Sequence, residues 1–112
     1  MSALAGCSET PQVEPGVDVF MKAQEAIQAG NKPEAMKLLN QSIEAQPTFY
    51  AYAARGRLYL EMGNAQSAMA DCQKGLELEP EDRDLKWLMS QIKLPAARRF
   101  QGAAAAPPSS SK

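Results

Sequence analysis

The side chains that could do chemistry are few and poorly matched for catalysis. The 112 residues contain no histidine, which removes the commonest general base and metal ligand. No phosphate-cradling glycine loop, no metal-spaced ligand set and no nucleophile–base pair can be found. Glu77, Glu79, Glu81 and Asp82 crowd around Pro80. At a junction between solvated helices such a cluster is surface charge. The two cysteines, Cys7 and Cys72, are too few for a disulfide framework and fall in unlike contexts, a leader and a helix. A formal net charge of −1 gives no broad footprint for nucleic acid. No run of about 18 apolar residues is present to span a membrane. These features predict a protein with no catalytic residues, metal or cofactor, and turn attention to binding.

The elements that would position a binding face come from a repeat. Gly30–Pro47 returns as Gly63–Pro80, 33 residues later, with six of 18 aligned positions identical. A fixed period of this size marks stacked supersecondary units. The first helix is predicted from about Val17 to Ala29, with Phe20, Ala23 and Ile27 on one face. Gly30-Asn31 stops it, because glycine adopts the left-handed geometry of a helix end. The second starts near Pro33, carries Ala35, Met36, Leu39 and Ile43 inward, and closes at Pro47.

The third is predicted over about 49–62 and the fourth over about 65–79. The fourth turns Ala68, Met69, Cys72, Leu76 and Leu78 inward or half inward. A fifth follows Pro80, its start favoured by Glu81, Asp82 and Asp84. Leu85, Leu88, Met89 and Ile92 make its apolar stripe. Trp87 points off that stripe. It either packs near Phe100 or stands open to a partner. Residues 1–15, with Gly6, Pro11 and Pro15, read as a flexible leader. Residues 95–112 read as a disordered Ala/Pro/Ser tail. Its basic groups make it a solvated segment or a weak handle for an anionic surface.

Helices of this length joined by three- or four-residue turns form antiparallel hairpins. Gly56 is expected to face Ala68, with Tyr52 and Tyr59 supplying bulk on either side. Tyr52, Gly56, Tyr59, Ala68 and Pro80, at spacings of 4, 3, 9 and 12, resemble the tetratricopeptide repeat signature. The resemblance implies an all-α fold: two helix-turn-helix hairpins and a C-terminal capping helix in an α-α superhelix. Repeat one would span 16–48, repeat two 49–82 and the cap 82–93. Val19 and Lys22 weaken the match of the first repeat, and the period is one residue short of the family's usual 34. Cys72 stands where the family usually has a large aromatic, leaving either slack in the core or space for a fifth-helix side chain.

The resemblance also implies a partner site on the inner face of each hairpin's first helix. By position, that face is Phe20, Gln24 and Ile27, then Tyr50, Ala53, Arg57, Leu60 and Glu61. Arg57 would grip a carboxylate or peptide carbonyl with its planar fork, and Tyr50 would offer an amphipathic surface. Taken singly, Arg57 also reads as ordinary surface and Phe20 as core. Together they read as a groove for a peptide or helix. The two-Lys, two-Asn, one-Arg clamp of the family's chaperone-tail binders is not supplied by Gln24, Ala53 and Arg57.

Leu4-Ala5-Gly6-Cys7 is similar to a bacterial lipobox, whose cysteine takes a diacylglycerol. Only six residues precede Cys7, whereas a signal peptide needs an apolar stretch of about 7–15. On this reading the leader lies upstream, and the chain is a lipoprotein of the bacterial cell envelope facing the periplasm. Acyl chains contribute about 0.8 kcal/mol per buried methylene, so several would anchor it. A cytoplasmic adaptor, co-chaperone-like and without lipid, is the alternative. Two repeats fall below the roughly three that such arrays usually need, so the cap or self-association must make up the difference.

Overall fold

Local side-chain chemistry sets most of the helix starts. The computed structural model describes residues 16–94. These form α1 (Val17–Gln28), α2 (Lys32–Ala45), α3 (Phe49–Glu61), α4 (Ala65–Leu78) and α5 (Arg83–Ile92). Four of the five starts carry a side-chain cap. Asn31, Thr48, Asn64 and Asp82 accept from the backbone N–H of Glu34, Ala51, Ser67 and Leu85. Each cap satisfies a donor that a helix start otherwise leaves unpaired.

The two Gly-Asn turns work identically. Gly30 and Gly63 have φ of 79° and 85°, a conformation that glycine tolerates at no steric cost. The Asn31 and Asn64 backbone N–H groups then reach back to the Ala26 and Tyr59 carbonyls, at 2.9 and 2.8 Å. This is the Schellman closure. One asparagine therefore ends one helix with its backbone and begins the next with its side chain. That dual use explains why the pair recurs at the repeat period. The start of α1 is held differently: the buried Ser42 hydroxyl donates to the Gly16 carbonyl at 2.8 Å.

The helices form two antiparallel hairpins, α1/α2 and α3/α4, stacked through α2 and α3, with α5 laid against α3 and α4. Two buried clusters hold them. Ala23, Ala35, Leu39 and Leu58 fill the first hairpin and its contact with α3. Leu60, Ala68, Cys72, Leu85, Leu88 and Ile92 fill the second and its contact with α5. Helix α3 thus serves both cores, with Leu58 on one side and Leu60 on the other.

Gly56 lies at the closest approach of α3 and α4. A Cβ there would stand 3.4 Å from the Ala68 carbonyl oxygen, as the sequence leads one to expect. It would also stand 3.3 Å from Asp71 Cβ and from Leu88 Cδ2, so Gly56 admits α5 as well as α4. Leu78 departs from expectation. It is exposed, 50% accessible, because α4 ends there and no later element among the described residues covers it. The leader 1–15, the Leu4–Cys7 motif and the tail 95–112 with Phe100 lie outside the described residues.

Cys72 leaves no slack. It is completely buried, with Leu85, Leu88 and Ile92 of α5 completing its cluster. Burial, and secondarily the neighbouring Asp71 charge, push its thiol from the ordinary 9.0 up to about 12. Between those values the unfolded chain has released a proton that the folded chain retains. Stability is therefore unaffected below pH 9 and falls as pH rises from 9 towards 12, by up to about 1.4 kcal/mol per pH unit. Denaturant titrations of wild type and Cys72→Ala should diverge in slope only above pH 9. In a Cys7→Ser background, maleimide at pH 8 should label Cys72 only at the rate of unfolding. Labelling as fast as a free thiol would show that α5 does not seal this core.

Candidate functional site

The first helix of each hairpin and α5 present their inner faces to a common groove of about 270 Å³. From α1 come Phe20, Gln24 and Ile27, spaced i, i+4, i+7 along one stripe. From α3 come Phe49, Tyr50, Ala53, Ala54, Arg57, Leu58 and Glu61. The third wall is α5 and its cap: Asp82, Asp84, Trp87 and Leu88.

Aromatic rings form one end. Phe20 meets Tyr50 edge-on at 4.8 Å between centroids, and Tyr50 meets Phe49 at 5.3 Å. Such contacts fix ring positions while leaving apolar faces for a ligand. Towards the other wall, the Arg57 guanidinium lies 5.5 Å from the centre of the Trp87 ring. Arg57 also stands 4.0 Å from Glu61, whose other oxygen is 3.4 Å from Lys32 Nζ on α2. The Glu61 side chain is only 6% exposed. A carboxylate so withdrawn needs cations beside it, and Lys32 brings one from the first hairpin. The groove floor therefore includes an ion pair that ties the two hairpins together.

Seven of the eight residues expected on this face share the groove: Phe20, Gln24, Ile27, Tyr50, Ala53, Arg57 and Glu61. Leu60 does not. It is 7% exposed and packs into the α3/α4/α5 core. Its counterpart Ile27, 33 positions earlier, faces the groove. Leu60 is drawn into the second core with Cys72 of α4 and Leu85, Leu88 and Ile92 of α5, whereas Ile27 is only partly buried against the first.

Of the two roles left open for Trp87, packing near Phe100 falls outside the described residues. Trp87 itself is half-buried, beneath Arg57, as part of the groove wall. The α5 residues were absent from the sequence-derived face, yet a signal for them exists. Asp84, Trp87 and Leu88 stand 34 positions after Tyr50, Ala53 and Ala54. Helix α5 occupies the place of a third first-helix. Carrying Tyr50 and Ala53 of the expected face forward by the family's usual 34 residues, rather than by this chain's 33, finds Asp84 and Trp87.

Among the described residues no group of three or more His, Cys, Asp or Glu side chains is placed to hold a metal ion. Among the same residues no helix is long and apolar enough to cross a membrane.

Comparison with known proteins bears on the second hairpin most directly. Residues 49–82 match the family model for the tetratricopeptide repeat. Residues 49–82 are a tetratricopeptide repeat. The chain is similar to human sperm-associated antigen 1, with 42% identity over 59 residues, 53% of this chain but 6% of that protein. The rat protein of the same name is 39% identical over 59 residues, 7% of its length. The SGT1 homolog of rice is 38% identical over 64 residues, 56% of this chain and 17% of that protein. The chain thus matches only a small part of the length of each relative. In this chain the matched segment runs through α3 and α4 to the cap of α5, the stretch that supplies most of the groove lining.

Proposed function

We propose that this chain is a non-enzymatic interaction module that holds a peptide segment or helix of another protein in the groove between α1, α3 and α5. One observation carries the reading: three non-adjacent helices converge Phe20, Tyr50, Trp87 and Arg57 on one concavity. Aromatic and arginine side chains are the residues that dominate protein interfaces energetically. A volume of about 270 Å³ has room for one or two large side chains, so the ligand docks through anchors set into a longer contact.

The test is selection of ligands from a random peptide library, followed by the variant Tyr50→Ala/Arg57→Ala. The variant removes two groove residues that are neither fully buried nor helix caps. Its circular dichroism should stay helical, and its affinity for selected peptides should fall at least tenfold. Unchanged affinity in a folded variant would move the interaction off this surface.

The finer proposal concerns location. The resemblance of Leu4-Ala5-Gly6-Cys7 to a lipobox supports attachment to the bacterial cell envelope through a diacylglycerol on Cys7. The groove would then work at a membrane surface. Intact mass of the native protein decides it: an acylated N-terminal Cys7 is expected. A chain with residues 1–6 retained and Cys7 unmodified would instead be the cytoplasmic adaptor.

A further inference from the structure

The lining of the groove is charged unevenly, and the imbalance points to a ligand class. Arg57 is the one cation among the lining residues, against three carboxylates, Glu61, Asp82 and Asp84. Glu61 is answered inside the protein by Lys32 and Arg57. Arg57 is itself occupied with Glu61 and the Trp87 ring. The charge left at the mouth is that of Asp82 and Asp84. Asp82 gives one oxygen, Oδ2, to the Leu85 N–H at 2.8 Å as the α5 cap. The α5 N-terminus offsets only part of a negative charge. Asp84 is exposed on the first turn of α5, beside the groove.

Resting on the interaction reading above, we propose that the segment bound here is cationic. It is a stretch of a partner protein carrying arginine or lysine next to an aromatic or large apolar side chain. The apolar side chain enters between Phe20, Tyr50 and Trp87, the only tryptophan of the chain. The basic groups meet Asp82 and Asp84 at the rim. A ligand ending in acidic residues meets like charge there, with Arg57 already engaged.

The experiment uses the full chain and two acetylated, amidated peptides, identical except for a central Arg-Arg-Phe or Glu-Glu-Phe. Binding is followed by Trp87 fluorescence and by calorimetry. At low salt the basic peptide should bind at least tenfold tighter. Raising the salt until the Debye length is about 8 Å should narrow the gap. Asp82→Asn/Asp84→Asn should weaken the basic peptide about fivefold, since each exposed pair contributes modestly. Asparagine caps a helix as well as aspartate does, so α5 should stay docked. Equal or tighter binding of the acidic peptide, or no effect of the double variant, overturns the cationic ligand and leaves the groove reading standing. Binding of neither peptide, with an empty library selection, overturns the groove itself. Binding of the basic peptide only after removal of residues 95–112 would replace the external partner with the chain's own Arg98-Arg99-Phe100.

Discussion

Asp71→Ala is expected to cost about 3 kcal/mol of stability and to lower the melting temperature by on the order of 15 °C. The Asp71 side chain is 5% exposed and that of Arg55 is 20% exposed. Arg55 Nε donates to Asp71 Oδ2 at 2.9 Å and Nη2 donates to Oδ1 at 2.8 Å, a two-pronged pair between α3 and α4. Nη1 donates to Asn40 Oδ1 at 2.9 Å, so the same guanidinium also reaches α2. The Tyr52 and Tyr59 rings flank it at 5.8 and 5.7 Å. The hydrogen bond to Asp71 raises the pKa of Arg55 above its ordinary value despite the opposing effect of burial.

Alanine keeps the Cβ that packs over Gly56 and removes only the carboxylate. What remains is a mostly buried cation with Asn40 as a neutral partner, and that uncompensated charge is the source of the loss. Partial exposure of Arg55 puts the loss at the low end for a buried pair. Arg55→Met should cost as much, by stranding Asp71. The combined Arg55→Met/Asp71→Leu variant should return to within about 1 kcal/mol of wild type, because a well-packed apolar pair does without the desolvation penalty. Chemical denaturation of the four proteins tests both expectations. A loss below about 1 kcal/mol for Asp71→Ala, or a double variant no better than the worse single one, would reduce the pair to a surface contact.

This pair also marks where reading the sequence stops. Helix ends were legible because their causes are local: Gly-Asn turns, the acidic start of α5 at Asp82 and Asp84, and Pro47 and Pro80 beyond the stops. The all-α hairpin architecture followed from those ends and the repeat. Most of the groove face followed from the family resemblance, carried over position by position. What escaped depends on which elements meet. Arg55 and Asp71 are 16 positions apart and on different helices, and nothing in either helix's own pattern names the other. The orientation of Trp87 relative to its own helix was readable, but what stands opposite it depends on how α5 lies on α3. Leu60 and Leu78 fail for one reason in opposite directions. Each is apolar, and only the presence or absence of a covering helix decides whether it is buried.

The docking of α5 is the most vulnerable step in building the groove. Leu85 is completely buried in the second core. Its Cδ1 and Cδ2 stand 2.7 and 3.0 Å from where a Cβ on Gly75 would be. Leu85 is thus seated against bare backbone of α4, in a notch that exists only because residue 75 has no side chain. Leu85→Ala should cost about 3 kcal/mol through lost burial and the cavity left behind.

Gly75→Ala pits two effects against each other. Alanine is favoured over glycine in a helix interior by about 1 kcal/mol. The clash with Leu85 costs about 1–3 kcal/mol, since a fully enclosed side chain has nowhere to retreat. Net destabilisation of about 1 kcal/mol is expected. In the Leu85→Ala background the clash is gone, and Gly75→Ala should become stabilising. The reversal of sign amounts to a coupling of about 2 kcal/mol, within the range for residues in contact. The single variants should also blunt the Trp87 response to peptide, because α5 carries both that ring and the two rim carboxylates. Stabilisation by Gly75→Ala in the wild-type chain would show that α5 can shift aside without loss, and that the third wall of the groove is not fixed by this contact.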